Sequence, residues 1–195
     1  MRFRIPVSML RLLACGLTAF VCAGSSVAQT SAPATCPALL SYTFPKLQDE
    51  SPQNLCQYSG KVLLVVNTAS YCGYTPQYEG LEKLQAKYAA RGFDVLGFPS
   101  GDFGNQEKAT NKEIAEFCFN TYGVKFPMFS KTSVAGPAAN PLYVELAKTT
   151  GQPPKWNFHK YLIDRQGRVV KAFPSAVEPL DERMTREIEA ALAAK

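Results

Sequence analysis

The sequence predicts an α/β fold in which a mixed β-sheet is flanked by helices, and three observations predict it. The run KVLLVVN at 61–67 is continuously apolar and rich in β-branched residues, which is typical of a strand covered on both faces. A second such run, FDVLGF at 93–98, follows a helical pattern, so residues 61–98 form a βαβ unit with parallel strands. Nearer the C-terminus, two further strands precede an amphipathic helix.

The helix of the βαβ unit is predicted to begin at Thr75-Pro76, because proline is tolerated in the first turn of a helix. Apolar side chains then recur at helical spacing at Leu81, Leu84 and Tyr88. Arg91-Gly92 closes the helix, since glycine is the usual residue just after a helix end.

The remaining elements follow in an order that defines the fold. Helices are predicted at 111–122 and 140–147, two strands around the turn at 164–167, and a final helix at 179–194. The polar segment 36–60 predicts a small hairpin ahead of the βαβ unit. Strand–helix–strand, then helix, hairpin and helix, is the order of a thioredoxin-like fold, here with an N-terminal hairpin extension.

The N-terminus has a different character from the rest of the chain. Residues 1–28 contain three arginines, no acidic residue, an apolar run and small residues ending at Ala28, which is the layout of a secretory signal peptide. A membrane anchor is the rival interpretation, but the charge-free stretch 12–27 has 16 residues, short of the ~20 that span a bilayer. We expect cleavage after Ala28, a flexible segment at 29–41 and a domain at 42–195. We also expect export to a bacterial periplasm, without membrane insertion after cleavage.

Composition and charge exclude several classes of protein. Hydrophobic residues make up 46% of the chain and charged residues 19%, as in ordinary globular proteins. Removal of residues 1–28 would lower the formal net charge from +5 to +2. This balance provides no electrostatic basis for binding nucleic acid.

Four cysteines remain after that cleavage, and they allow three complete disulfide pairings. They are Cys36, Cys56, Cys72 and Cys118. An exported protein can keep disulfides. Cys36 and Cys56 lie together ahead of the βαβ unit, so we expect a structural disulfide closing a loop of about 20 residues. The alternative is that one of the two reacts with Cys72.

Cys72, in the segment NTASYCGYTPQYEG, lies between a strand end and a helix start. Functional groups of open α/β sheets gather beyond the carboxyl ends of strands. The N-terminus of a helix also favours a thiolate, which is the reactive form of cysteine. A small buried hydrophobic side chain is equally compatible with this position.

Other chemistries for Cys72 lack their partners. The chain has one histidine, His159, and no CxxC pair with zinc spacing, so we expect no metal. A Cys–His hydrolase would need His159 as its base, but that residue falls in a predicted strand and a structural role is favoured. Cys72-Gly73-Tyr74-Thr75 has no second sulfur for a dithiol oxidoreductase. One-cysteine redox chemistry remains.

Three separated motifs, in this order and spacing, resemble the glutathione peroxidase family in its cysteine-containing form. They are NTASYCGYTPQYEGLEKL, LGFPSGDFGNQE and KWNFHKYL. The similarity runs from about residue 42 to the C-terminus. It implies a thioredoxin-like fold, no cofactor, and an enzyme that reduces hydrogen peroxide and organic hydroperoxides.

Carried over to this sequence, the resemblance makes Cys72 the residue that attacks the peroxide and groups three polar side chains around it: Gln106, Trp156 and Asn157. An indole N–H and side-chain amides donate hydrogen bonds without carrying charge. Such donors stabilise a sulfur anion and would also stabilise the departing peroxide oxygen.

Attack on a peroxide would leave a sulfenic acid on Cys72, which a second thiol must resolve. Cys118 is the candidate, within a region where thioredoxin-dependent family members carry a resolving cysteine. Their cysteine usually aligns with Phe119, one residue away, and one helical residue is ~100° of rotation. Packing of Cys118 in the core is therefore the alternative.

The partners follow from what the sequence lacks relative to the family. The short segment 142–156 is without the insertion that tetrameric members use, which predicts a monomer with an open site that accepts lipid hydroperoxides. No cluster of arginines marks a glutathione site, so a thioredoxin-like protein is the expected reductant and glutathione the alternative. A hypothesis from another class is a non-catalytic thioredoxin-like binding or thiol-chaperone module with its cysteines locked in disulfides.

Overall fold

The computed structural model describes residues 1–2 and 36–194. The predicted signal peptide, apart from its first two residues, and residues 29–35 of the predicted flexible segment lie outside the described residues. In the described part of the chain, no helix has both the length and the apolar character needed to span a membrane. Residues 36–194 belong to one compact unit, whose architecture is given below.

The unit begins with the predicted hairpin. Strands β1 (Thr43–Pro45) and β2 (Pro52–Asn54) pair in antiparallel orientation. Ahead of them, Ala38–Leu40 form a single 3₁₀ turn whose Leu40 is buried. This part of the segment that the sequence predicts to be flexible is therefore packed against the domain, because Leu40 joins the core and Cys36 is covalently held.

The predicted βαβ unit is present and provides the centre of the sheet. Strands β3 (Val62–Thr68) and β4 (Phe93–Pro99) are parallel, and every residue of both is buried. Helix α1 (Gln77–Tyr88) connects them, followed by a 3₁₀ turn that ends at Gly92. Gly92 has φ of +82°, a conformation that favours glycine and turns the chain into β4.

The second half of the chain supplies the flanking elements. Helix α2 (Asn111–Tyr122) matches its predicted bounds. Helix α3 (Pro141–Thr150) extends three residues beyond the predicted end, since its termination comes at Gly151 in the left-handed conformation. Strands β5 (Lys160–Ile163) and β6 (Val169–Phe173) form the predicted antiparallel pair, and helix α4 (Glu182–Ala193) ends the fold.

The four long strands form one mixed sheet in the order β4–β3–β5–β6. Alternate side chains of β3 point to opposite faces, which explains its uninterrupted apolar run. Leu64 and Val66 pack with residues of α1, α2 and α4, whereas Leu63 and Val65 pack with the hairpin and α3. The predicted fold class, a thioredoxin-like α/β fold with a mixed sheet and an N-terminal hairpin, is confirmed.

A disulfide joins Cys36 to Cys56, with their Cα atoms 5.2 Å apart. The other two cysteines of the described chain, Cys72 and Cys118, are free and buried. The disulfide therefore anchors the start of the domain to the turn after β2 and leaves both remaining thiols available.

Replacing Cys36 and Cys56 together by alanine should lower the free energy of unfolding by about 3 kcal/mol, because the unfolded chain regains the entropy of a loop of about 20 residues. Urea unfolding of the wild type and the double variant measures this difference. Adding dithiothreitol should destabilise the wild type towards the variant while leaving the variant unchanged. Equal stability of the two proteins under oxidising conditions would contradict a structural role for the bond.

Candidate active site

Cys72 lies in the turn between β3 and α1, and Thr75 fixes that turn. The Cys72 backbone N–H donates to Thr75 Oγ1 at 3.0 Å, and Thr75 Oγ1 donates to the Ala69 carbonyl at 2.9 Å. Cys72 is 6% exposed, and its sulfur accepts a hydrogen bond from the Tyr74 backbone N–H at 3.4 Å. A backbone N–H ahead of α1 thus donates to the sulfur.

The loop that carries Gln106 is tied directly to the Cys72 turn. The Tyr71 N–H donates to the Gln106 carbonyl at 2.9 Å. The Ser70 N–H donates to Glu107 Oε1 at 3.2 Å, and the Ser70 hydroxyl donates to the same oxygen. Asn105 has φ of +51°, which turns the loop back towards Cys72.

The third segment of the site precedes β5 and carries Trp156 and Asn157. Asn67, the penultimate residue of β3, holds it: its side-chain amide donates to the Trp156 carbonyl at 3.1 Å. Its own carbonyl accepts from the Phe158 N–H at 2.6 Å. Trp156 is 40% exposed, and its indole lies 6.0 Å from the Phe103 ring, between centroids.

Asn157 connects the second and third segments. It is fully buried, and its amide donates to Gln106 Oε1 at 3.1 Å and to the Phe103 carbonyl at 3.4 Å. Because Gln106 Oε1 accepts this bond, the amino group of Gln106 remains available as a donor. The four residues predicted to be catalytic therefore come from three segments that hydrogen bonds hold together.

One feature of the site differs from the prediction that uncharged side chains donate to the sulfur. Among the hydrogen bonds of residues 36–194, the one that reaches Cys72 Sγ comes from the Tyr74 backbone, not from Gln106, Trp156 or Asn157. The Asn157 amide is used to orient Gln106 instead. In this structure its role is therefore to position a neighbouring donor.

Sequence reasoning missed three residues that build the site: Asn67, Thr75 and Glu107. Each is at most 5% exposed and is hydrogen-bonded to one of the converging segments. Asn67 carries a recognisable signal, since it is a polar residue at the end of an apolar strand. Glu107 carries none beyond its place in the motif that contains Gln106.

Cys118 lies on the inner face of α2 and is 3% exposed, whereas Phe119 beside it is 65% exposed. Burial raises the pKa of the Cys118 thiol to about 11, and the negative charge of Glu107 also raises it. Cys118 belongs to the same apolar cluster as Cys72, but the two are not bonded to each other. As it stands, the thiol of Cys118 is strongly held in its protonated form.

His159 is not part of the site. Its ring is buried and lies 4.7 Å from the Tyr161 ring, between centroids. Burial lowers the pKa of His159 to about 4, with a further lowering from the Lys160 charge. Within the described ranges, no cluster of three or more histidine, cysteine, aspartate or glutamate residues is placed to hold a metal.

A free cysteine ahead of the first helix of a thioredoxin-like fold, framed by neutral hydrogen-bonding side chains, defines a thiol-dependent oxidoreductase. The sequence profile of the glutathione peroxidase family matches residues 40–147. The chain belongs to this family, and it is accordingly a peroxidase of the oxidoreductase class. Both the predicted family and the prediction of an enzyme, not a non-catalytic module, are confirmed.

Individual relatives agree with this assignment. The chain is 47% identical over 152 residues to the glutathione peroxidase-like peroxiredoxin gpx1 of Schizosaccharomyces pombe, covering 76% of this chain and 95% of that protein. It is 48% identical over 141 residues to the hydroperoxy fatty acid reductase gpx1 of Synechocystis, with coverage of 67% and 83%. The crystal structure of Trgpx in its apo form is similar with a TM-score of 0.64 at 35% identity, covering 80% and 95% of the two chains.

Replacing Asn157 by alanine should reduce the second-order rate constant for peroxide reduction by about 10- to 100-fold. The substitution removes two hydrogen bonds that hold Gln106 and its loop, and each 1.4 kcal/mol is worth a factor of ten. Stopped-flow measurement at limiting peroxide gives the rate constant. Asn120→Ala, at an exposed position of α2, is the control and should react at the wild-type rate; equal rates in both variants would contradict the role of Asn157.

Replacing His159 by phenylalanine should remove part of the acid sensitivity of the fold. In the folded protein the pKa of this imidazole is about 4, against an ordinary value of 6.5. As the pH falls, His159 therefore becomes protonated in the unfolded chain before it does in the folded protein. Stability therefore falls as the pH drops from 6.5 to 4, by about 3 kcal/mol at most. Urea unfolding at several pH values should show a shallower loss in the variant, and parallel curves would refute this.

Proposed function

We propose that the protein is an exported thiol peroxidase that reduces hydrogen peroxide and organic or lipid hydroperoxides through a sulfenic acid on Cys72. A thioredoxin-like protein, or glutathione, returns the enzyme to its reduced form. The observation that carries the proposal is the position of the free Cys72 thiol, ahead of α1 and at the meeting point of the segments that hold Gln106, Trp156 and Asn157.

The first step is a displacement at oxygen. The Cys72 thiolate attacks one peroxide oxygen, the S–O bond forms and the O–O bond breaks. The departing oxygen leaves as hydroxide or alkoxide and takes up a proton to become water or an alcohol, while Cys72 becomes a sulfenic acid. The amino group of Gln106 and the indole N–H of Trp156 are the side-chain donors that would stabilise the negative charge on that oxygen.

Access to the sulfur supports bulky as well as small substrates. Cys72 itself is nearly buried, but Tyr71 next to it in the chain and Trp156 of the third segment are 62% and 40% exposed. Two exposed aromatic residues on the segments that form the site suit an apolar acyl chain. The Synechocystis relative is named a hydroperoxy fatty acid reductase, which agrees with this substrate class. An open site of this kind also fits the predicted monomer.

The second step is resolution by Cys118. Its thiol condenses with the sulfenic acid of Cys72, releasing water and forming a disulfide that a thioredoxin-like protein then reduces. Because a disulfide needs Cα atoms within about 7 Å, the last turns of α2 have to rearrange. Presence of both thiols in one core cluster supports this pairing. Attack by glutathione on the sulfenic acid is the alternative route.

Export to an oxidising compartment, expected to be a bacterial periplasm, is supported by two independent features. One is the arrangement of arginines, apolar residues and small residues over 1–28. The other is the Cys36–Cys56 disulfide, since disulfides of this structural kind persist in oxidising compartments.

Replacing Cys72 by serine should abolish peroxide consumption in an assay regenerated by thioredoxin and its reductase. Cys118→Ser is the matched control: it should consume one equivalent of peroxide at the wild-type rate but lose at least 90% of turnover with thioredoxin. Retained turnover in Cys72→Ser would remove the proposed mechanism. Running the wild type with glutathione at matched peroxide identifies the reductant, and faster turnover with glutathione would overturn the thioredoxin assignment.

A further inference from the structure

The Gln106 loop, residues 100–110 between β4 and α2, reaches the site without a strand or helix of its own. Its turn back towards Cys72 is made by Gly104 and Asn105, which have φ of +66° and +51°. Two consecutive residues in the left-handed region make a sharp turn, and asparagine adopts this conformation less readily than glycine. A backbone of this shape persists only where the surrounding contacts hold it in place.

The Gln106 loop has two sets of hydrogen-bond partners. One set belongs to the site itself and includes Tyr71 and Asn157. The other set belongs to residues 131–135, here called the outer brace. The Thr132 N–H of the outer brace donates to the Pro99 carbonyl at 2.9 Å, at the point where β4 ends and the loop begins. The outer brace therefore lies beside the loop from its start.

Asp102, near the start of the Gln106 loop, binds the backbone of the outer brace. Its Oδ2 accepts hydrogen bonds from the Val134 N–H at 2.6 Å and from the Ala135 N–H at 3.0 Å. The Ser133 hydroxyl lies 3.0 Å from each of the two carboxylate oxygens. Val134 is 1% exposed and packs in the apolar core. Asp102 is therefore attached to a part of the chain that packing already fixes.

Lys131, at the start of the outer brace, binds the other end of the Gln106 loop. Its Nζ donates to the Lys108 carbonyl at 2.8 Å, and its backbone N–H donates to Asn111 Oδ1 at 2.8 Å, where α2 begins. In the described part of the chain, neither Asp102 nor Lys131 belongs to an ion pair. Each of the two segments therefore directs one charged side chain at the backbone of the other.

These two attachments lie on either side of Gln106. Asp102 comes four residues before it, and the Lys108 carbonyl comes two residues after it. Hydrogen bonds in which one partner is charged are roughly twice as strong as neutral ones. The left-handed turn that directs the chain towards Cys72 is therefore confined between two strong contacts to the outer brace.

We propose that Asp102 and Lys131 are positioning residues for peroxide cleavage, which hold Gln106 where its amino group donates to the departing oxygen. Both act through the Gln106 loop and not by contact with the substrate. This inference rests on the proposed function, in which Gln106 stabilises the charge on that oxygen. It gives the outer brace, which contributes no side chain to the site, a part in the reaction.

The test measures the second-order rate constant with hydrogen peroxide by stopped flow. Asp102→Ala removes the acceptor of two backbone N–H groups, and its rate constant should fall about 10-fold, since a displacement of about 1 Å costs up to about 100-fold. Asp102→Asn keeps an oxygen for both N–H groups and should restore the rate constant to within about threefold of wild type. Lys131→Met should lower it about 3- to 5-fold and is the second variant should Asp102→Ala not fold.

Two further measurements separate positioning of Gln106 from a general loss of structure. Alkylation of Cys72 by iodoacetamide, followed by mass spectrometry of the Cys72 peptide, requires the sulfur but not Gln106. Asp102→Ala should therefore be alkylated at the wild-type rate. In a Gln106→Ala background, adding Asp102→Ala should change the rate constant with peroxide less than twofold, because the residue through which Asp102 acts has already been removed.

Asp181→Ala is the matched control. Asp181 caps α4 and, like Asp102, accepts a hydrogen bond from a backbone N–H, that of Arg183 at 2.8 Å. Loss of this cap should lower the stability measured by urea unfolding, because an aspartate at this position stabilises the helix start. The rate constant with peroxide should stay at the wild-type value, since α4 carries none of the residues of the site. An equal rate loss in Asp181→Ala and Asp102→Ala would overturn the inference.

The other outcomes distinguish this inference from the function on which it rests. Wild-type rate constants in Asp102→Ala and Lys131→Met, or a further 10-fold loss in the Gln106→Ala background, would overturn the inference and leave the peroxidase function intact. Alkylation of Cys72 slowed as much as its oxidation would do the same. A wild-type rate constant in Gln106→Ala would remove the role of Gln106, and the inference with it. Absence of any sulfenic acid on Cys72 would refute the proposed function itself.

Discussion

The pairing of β3 with a parallel strand on one side and an antiparallel strand on the other determines where the site forms. Thr68 at the end of β3 lies opposite Pro99 at the end of β4, so the loop after β4 leaves the sheet beside the Cys72 turn. Val66 lies opposite Lys160, the first residue of β5, so the chain that leads into β5 arrives at the same edge. The segments that carry Cys72, Gln106 and Asn157 meet because of this mixed pairing.

The site that forms there depends on neutral hydrogen bonds. Asn67, Thr75 and Asn157 are buried, and each uses a side-chain amide or hydroxyl to hold a neighbouring backbone or side chain. Neutral groups can be buried at lower cost than charged ones when they are paired. They also hold Gln106 and the segment that carries Trp156 in fixed positions relative to the Cys72 turn.

Helix α2 shows how one residue of register decides the chemistry available to a thiol. Cys118 faces the interior that contains Cys72, whereas Phe119 faces solvent. A cysteine at the exposed position would ionise readily but lie on the outside of the helix. At the inner position, burial raises the pKa of the Cys118 thiol to about 11, and the Glu107 charge also raises it.

Much of the fold was predictable because its signals are local. The apolar runs of β3 and β4 and the spacing of Leu81, Leu84 and Tyr88 lie within short stretches of chain, where periodicity reflects which face is buried. The bounds of α2 were also predictable, since Thr110 and Glu113 form a capping box. The end of α3 was harder to predict, because Ala147 is compatible with a continuing helix. The helix ends only at Gly151, which adopts the left-handed conformation.

By itself the sequence determined the mixed α/β architecture and the position of Cys72 ahead of a helix, and its motifs identified the polar residues around it. Tertiary structure alone decided what those residues touch. The hydrogen bond between Asn157 and Gln106 joins positions 51 residues apart, and the inward direction of Cys118 depends on how α2 packs. Contacts of this range arise from strand pairing and helix packing, which local sequence patterns do not specify.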